Sequence, residues 1–347
     1  MRPYCSAISL AVAIATMTTW AAARDNIWVV GSSTAQPFTK AVAERVAKVT
    51  GTPAPIVENT GTTPGFWALC SGVGSVHPDA TNATRRIKKS EFEVCQKNGV
   101  EIVELAVGLD ILVVAQSRAG PPMKLTPAHM FLALGKDVPD QEGRLTANPY
   151  KTWSEIDRSL PDIMIEVRVL PQISGTRDAM QELFLQKGAD SIPALAALFR
   201  GDSTLRATAK VMRTDSNFVV VQENQDAIAR ALVANPDAFG VFGFRFLQAN
   251  RETLRGVSID GTDPTEENAY SGKYKGTRKL YLYIKKAHFD FIPGLDKLAP
   301  EYVSGAALGP NGYLLAAGFV PLGIDDLMST IALIDAMTPL RGETLKD

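Results

Sequence analysis

The sequence predicts an α/β protein with two hydrophobic cores, and three observations predict it. Strand-like apolar runs alternate with stretches of helical periodicity, the pattern that parallel α/β layers produce. The chain has 347 residues, 46% hydrophobic and 21% charged, an ordinary globular balance and enough length for two cores. Three short strands each run into a hydroxyl-rich turn and then into a helix, which sets the turns beyond the carboxyl ends of their strands, where ligands of such sheets bind. The formal net charge of -1 argues against a nucleic-acid partner, which calls for a basic field, and leaves any anion chemistry to a few local donors. No internal repeat or low-complexity tract is visible.

At the amino end, residues 1–23 carry Arg2 as their charge, an apolar run from Ala7 through Met17, and then Ala21-Ala22-Ala23. This is the pattern of a cleavable secretory signal peptide. The apolar run is too short to span a membrane. Cleavage after Ala23 would start the mature chain at Arg24 and remove Cys5, so an exported, soluble protein is expected.

The first unit after the leader is Ile27 to Val30 as a strand, Gly31-Ser32-Ser33-Thr34 as a turn, and Pro37 at the start of a helix. Phe38, Val42, Val46 and Val49 then fall on one helical face. Ile56 to Asn59, the turn Thr60-Gly61-Thr62-Thr63-Pro64, and Phe66, Leu69 and Cys70 repeat the design. The remaining cysteines, Cys70 and Cys95, form an even pair in an exported chain and suggest one disulfide, with two free thiols as the alternative. His77, His129 and His288 are scattered, no metal-ligand spacing appears, and neither a metal nor a cofactor is expected. The third unit is the extended run Ile163 to Leu170, followed by Ser174-Gly175-Thr176-Arg177 and a helical apolar pattern.

The first amides of a helix lack partners and the helix dipole favours negative charge, so each of these turns is a ready anion site. An ordinary N-cap explains any one of them. Three in one chain, if they converge, make a cage of neutral dipoles around one small anion. Two arginines can add charge through a fork that suits a tetrahedral oxyanion. Arg85 follows Asn82-Ala83-Thr84 and is favoured for the site over a solvated role. Arg177 is evenly balanced, because a cation at a helix start opposes the dipole unless an anion is present.

These segments together resemble the periplasmic phosphate-binding component of an ABC-type phosphate importer. The resemblance covers essentially the whole mature chain. It rests on Val30-Gly31-Ser32-Ser33-Thr34 with Pro37-Phe38, Thr60-Gly61-Thr62, Asn82-Ala83-Thr84-Arg85, Ser174-Gly175-Thr176-Arg177 and Asn235-Pro236-Asp237-Ala238-Phe239-Gly240-Val241-Phe242-Gly243-Phe244. It implies the two-lobed periplasmic binding protein fold, with two crossover strands and a central ligand cleft. Val107 to Ala115 and Leu280 to Lys285 best fit those strands. Lobe 1 would comprise residues 24–111 and 282–347, and lobe 2 residues 112–281. The implied function is binding of inorganic phosphate in the periplasm and its delivery, by a monomer, to the permease subunits of the importer.

Carried over by position, Ser33, Thr34 and Thr62 would bind from lobe 1, with Thr63 the weaker of its pair. Ser174, Gly175 and Thr176 would bind from lobe 2. The chain departs from the family at Pro64 and Ile173, where many members have Gly, and at Leu170, where some have Arg. Arg85 stands where that same branch has an Asp that accepts the proton of phosphate. Asp110, with apolar flanks in the first crossover strand, is the nearest replacement or else a structural carboxylate. A binding protein for another oxyanion, such as sulfate or molybdate, is the alternative. A phosphatase-like hydrolase is a more distant one, since Ser174 and Thr34 have no visible base partner.

Overall fold

A computed structural model describes residues 24–346, apart from 173, 216–217 and 223. The expected leader lies outside the described residues. The strands that position the cleft are β1 (Trp28–Gly31), β2 (Ile56–Asn59), β3 (Ala80–Ala83), β4 (Ile102–Ser117), β5 (Val167–Val169), β6 (Val219–Val221), β7 (Phe239–Gly243), β8 (Leu254–Gly256) and β9 (Thr277–Lys285). They form one sheet in the order β2-β1-β3-β9-β4-β7-β5-β6, with β8 also on β4. The strand β1 runs parallel to β2 and β3, and β5 runs parallel to β6 and β7.

One strand joins the two halves. The 16 residues of β4 are apolar almost throughout, as a strand covered on both faces must be. Its first part, Ile102 to Ile111, pairs antiparallel with β9, and its second, Leu112 to Gln116, pairs antiparallel with β7. The expected crossover strands are therefore real and adjacent, and each is longer at its amino end than the sequence suggested.

The core divides around this junction. Val103, Leu105 and Val107 pack with β1, Leu280, Leu282 and the carboxyl-terminal helices. Leu109, Ile111 and the rest of β4 pack with β5, β7, Val320 and Leu322. A third cluster joins Phe66, Leu69, Cys70, Phe92 and Cys95 with Tyr283. Helix α1 (Gln36–Thr50) buries Thr39, Val42, Ala43, Val46 and Ala47. Val49 departs from the expected face and is 70% exposed, because the buried stripe ends one turn earlier. Tyr283 packs edge-on against Phe66 at 4.9 Å and donates its hydroxyl to Glu104 at 2.8 Å, the strand-face role that its position in β9 implied.

Cys70 and Cys95 are joined by a disulfide, with Cα atoms 4.3 Å apart. The loop beyond Cys70 lies over a buried polar cluster. Arg24 gives both terminal nitrogens to Asp79, at 2.7 and 2.8 Å, and the Trp28 amide donates to the same carboxylate. His288 Nε2 accepts from the Gly74 amide at 3.0 Å, so the ring proton sits on Nδ1 and is donated to Asp79 at 2.7 Å. Burial raises the Asp79 carboxyl, but these bonds outweigh it and hold it below its ordinary value. Lys285 donates to the Gly72 carbonyl, and burial pushes its ammonium down to about 8 against the pull of Asp79.

This half of the molecule yields two testable consequences. The disulfide closes a loop with a sequence separation of 25, worth on the order of 3 kcal/mol by loop-closure entropy. Cys70 and Cys95 should be silent to thiol reagents until reduced, and two titratable thiols without reductant would overturn the pairing. For Lys285, the unfolded chain holds between about pH 8 and pH 10.5 a proton that the folded chain has lost. Stability from this group therefore rises with pH across that window, by on the order of 3 kcal/mol. Urea unfolding of Lys285→Met at stepped pH should lack this rise; a curve parallel to the parent's would refute it.

Candidate functional site

The turns that follow the three amino-terminal strands β1, β2 and β3 meet because those strands are neighbours in register. Gly31, the last residue of β1, pairs with Asn59 of β2 and with Asn82 of β3, so the carboxyl ends of the three strands are level. Gly31 has φ +133, and a Cβ there would lie 2.1 Å from the Asn82 carbonyl oxygen. The position admits glycine alone. The turns are then stitched together, with the Ser32 amide donating to Asn82 O at 3.1 Å and the Thr60 and Gly61 amides to Gly31 O at 3.0 and 2.8 Å.

Helix α1 starts after the first turn and helix α2 (Thr62–Leu69) after the second. A third helix, α3 (Gly175–Met180), opens behind β5 and continues through a π-helical turn at Gln181–Gln186. Among the described residues, none of these three starts is capped by a side chain. The hydroxyls of the turns are thus not spent as ordinary N-caps, which removes the plainest alternative to an anion site.

Two cavities open between the halves, and Ser33 and Thr34 line both. The smaller, about 260 Å³, is lined by hydroxyl residues Ser32, Ser33, Thr34, Thr62, Thr63 and Thr84, by the cations Arg85, Lys210 and Arg278, and by Asp178 and Glu182. The larger, about 630 Å³, is lined among others by Asp110, Ser174, Gly175, Thr176, Phe38 and Phe246. Between them the halves touch. Thr34 donates its hydroxyl to the Gly175 carbonyl at 3.0 Å, and Ser33 donates to Asp178 Oδ2 at 2.8 Å. A Cβ on Gly175 would lie 2.6 Å from the Thr34 backbone, so this approach needs glycine.

The structure brings Ser33, Thr34, Thr62, Thr63 and Arg85 to one cavity. Ser174, Gly175 and Thr176 do not share it except through their contact with Thr34; they face the larger space. Arg85 is on the wall, but its fork is already filled. It donates to both oxygens of Glu91, at 2.6 and 2.8 Å, and to Thr63 Oγ1 at 2.7 Å. Arg177 lines neither cavity. It is buried, donates to the Leu170 carbonyl at 3.3 Å, and has its guanidinium pushed below the ordinary value by desolvation. Asp110 is not a free acceptor, since Arg278 Nε donates to it at 2.9 Å.

Sequence reasoning missed Arg278, Lys210, Asp178 and Glu182. Arg278 and Asp110 are cross-strand partners in register, on β9 and β4 where the two halves join. Arg278 also donates to Thr34 Oγ1 at 3.1 Å and to Glu182, and its side chain is only 9% exposed. Glu182 lies in the π-helical turn and also accepts from Lys210 at 3.3 Å. Such a turn adds a residue to the helix and rotates the residues beyond it, a distortion common at functional sites. Nearby, Lys187 is held below the ordinary lysine value by burial and by the Arg278 charge. No motif marks these residues, and Arg278 joins the crossover strand only because that strand starts three residues before the expected Leu280.

Comparison with known proteins places this geometry. The chain is 27% identical to "Protein SphX" of Synechococcus elongatus over 262 residues, 74% of this chain and 67% of that protein. It is 25% identical to "Phosphate-binding protein PstS" of Staphylococcus epidermidis over 264 residues, again 74% of this chain and 67% of the relative. Among solved structures, a "possible phosphate binding protein" from Planctomyces limnophilus superposes with a TM-score of 0.70 at 22% identity, covering 90% of this chain and 99% of that one. PstS from Borrelia burgdorferi superposes with a TM-score of 0.59 at 17% identity, covering 86% and 100%. These two show the same fold. The family model of the PBP superfamily domain matches residues 16–305. With most of its length matched, and with the two half-sheets, shared strand and central cleft in place, the chain belongs to the PBP superfamily domain family.

Proposed function

We propose that this protein binds inorganic phosphate outside the cytoplasm and delivers it to the membrane permease of an ABC-type importer. It would act as a non-enzymatic, monomeric receptor. The observation that carries the anion reading is the 260 Å³ cavity, where six hydroxyl residues and three cations meet at uncapped helix starts. Phosphate is named because the relatives that carry a descriptive name are phosphate-binding proteins. Export rests on the leader pattern of residues 1–23. Among the described residues no helix is long and apolar enough to cross a membrane. The lobes are taken as residues 24–111 with 282–347, and 112–281, with β4 and β9 between them.

In this reading phosphate lies in the smaller cavity against Ser33, Thr34, Thr62 and Thr63. Arg85, fixed by Glu91, contributes field from the wall. The Ser174-Gly175-Thr176 turn closes on the site through Thr34. Arg177 supports that turn from beneath. Phosphate keeps a proton at neutral pH and sulfate does not, so a carboxylate in the cage favours the former and repels the latter. Asp110 is paired with Arg278 and lines the larger cavity, and Asp178, which accepts from Ser33 on the wall of the smaller one, takes that role.

Titration calorimetry of the purified protein with phosphate, sulfate, arsenate and molybdate tests the function directly. Phosphate and arsenate should bind, and binding of sulfate or molybdate alone would reject the assignment. Two variants test the site. Thr62→Val should weaken phosphate binding by about tenfold to a hundredfold, the worth of one hydrogen bond to a charged group. Thr176→Val should lose less, and an equal or greater loss would move the anion to the larger cavity. Asp178→Asn should admit sulfate as a competitor; continued exclusion of sulfate would take proton recognition away from Asp178.

A further inference from the structure

Of the three cations at the smaller cavity, Arg278 alone reaches three different elements among the described residues. Its Nε is given to Asp110 on β4, at 2.9 Å, and its Nη2 to Thr34 Oγ1 in the first turn, at 3.1 Å. Its Nη1 is given to Glu182 in the π-helical turn of the other half. These three contacts differ in kind. Asp110 and Arg278 sit opposite each other on paired strands, so that bond is built into the sheet. Thr34 is a neutral hydroxyl. Glu182 is a full anion on the cavity wall, and its side chain is 38% exposed.

Glu182 therefore stands where the charge of a bound oxyanion would be drawn, and it has a second partner to fall back on. Lys210 Nζ donates to Glu182 Oε1 at 3.3 Å, while Arg278 holds Oε2. If Arg278 releases Glu182, the carboxylate keeps Lys210 and is not left unpaired, and Arg278 keeps Asp110 and does not move. Arg85 offers no such exchange. Both of its terminal nitrogens are bound to Glu91, whose side chain is only 6% exposed and which also accepts from the Lys88 amide at 2.9 Å. Withdrawing Arg85 would strand a buried carboxylate, which is strongly unfavourable.

We propose that Arg278, held in place by Asp110, is the cation that receives the bound oxyanion, and that Glu182 is a resident competing carboxylate which the ligand displaces onto Lys210. This rests on the oxyanion reading above and adds to it a built-in brake on affinity. Asp110 is a positioning residue: it fixes the guanidinium plane at the join of the half-sheets, so that closing of the cleft and capture of charge use the same side chain. The design weakens binding of any anion that cannot outbid a carboxylate for the Arg278 fork. A phosphate dianion does so, with more charge and more acceptor oxygens than Glu182 offers.

The test is calorimetry of phosphate, sulfate and molybdate on the parent, Glu182→Gln, Arg278→Gln, the double variant and Arg85→Gln, with thermal melts to verify folding. Glu182→Gln keeps shape and removes charge, and should tighten phosphate binding by about tenfold, while Arg278→Gln should weaken it by about a hundredfold or more. In the double variant the gain from Glu182→Gln should vanish, because it acts through Arg278. Arg85→Gln should cost less than Arg278→Gln. Should Arg278→Gln fail to fold, Arg278→Lys keeps the charge without the fork and should lose about tenfold. The proposal falls if Glu182→Gln does not tighten binding. It also falls if the gain persists without Arg278, which would mean diffuse repulsion, or if Arg85 proves the costlier loss. A folded parent that binds none of the three oxyanions would overturn the functional reading and this proposal together; a parent that binds while Glu182→Gln gains nothing overturns this proposal alone.

Discussion

Everything in this molecule hangs on β4, one strand whose hydrogen bonds serve two half-sheets. Over its first part it pairs with β9 and over its second with β7. A strand shared in this way cannot shift register for one half without shifting it for the other, because a one-residue slip would turn every side chain to the opposite face. The two cores are thereby held at a fixed join. The cleft opens where β4 changes partner, and the pair Asp110–Arg278 sits there. The cleft is not a gap left between two domains. It is placed by the same ladder that holds them together.

From that join the site is assembled out of dipoles and paired charges. Level strand ends bring the turns after β1, β2 and β3 side by side, and the α3 start meets them from the other half through Thr34 and Gly175. Each cation on the smaller cavity is paired with a carboxylate: Arg85 with Glu91, Lys210 with Glu182, and Arg278 with Asp110 and the same Glu182. A guanidinium left alone at such depth would be costly. Pairing explains how a chain of net charge -1 holds three cations on one cavity wall.

The strand β9 links this site to the far end of its half-sheet. Arg278 lies near one end of it, in the cleft, and Lys285 at the other, beneath the loop that leaves the disulfide cysteine Cys70. The buried cluster of Arg24, Asp79, His288 and Lys285 and the disulfide thus brace the far end of the strand that presents the cavity's central cation. A binding group is held to within a fraction of an ångström only when the shell behind it is itself fixed.

The alternation of strand and helix, the three strand–turn–helix units and the Cys70–Cys95 pair were legible in the residues, because each depends on local periodicity, turn chemistry or the parity of cysteines; the crossover role of β4 and β9 came from the family resemblance. The turns that hold Ser33, Thr34, Thr62 and Thr63 were legible for the same reason, since a turn that opens a helix announces itself within about five residues, while the choice of those four side chains came from the family resemblance. The fate of the charged side chains was not. Arg85 looked free and is held by Glu91, six residues on; Asp110 looked like an acceptor and is paired with Arg278, 168 residues away. Glu182 lies in a π-helical turn and Asp178 accepts from Ser33 across the cleft, and neither placement is visible locally. A long flexible side chain ends several ångströms from its backbone, and its partner is chosen by distance in space. The sequence determined which backbone turns could cradle an anion, and only the tertiary structure decided which charges stand beside it.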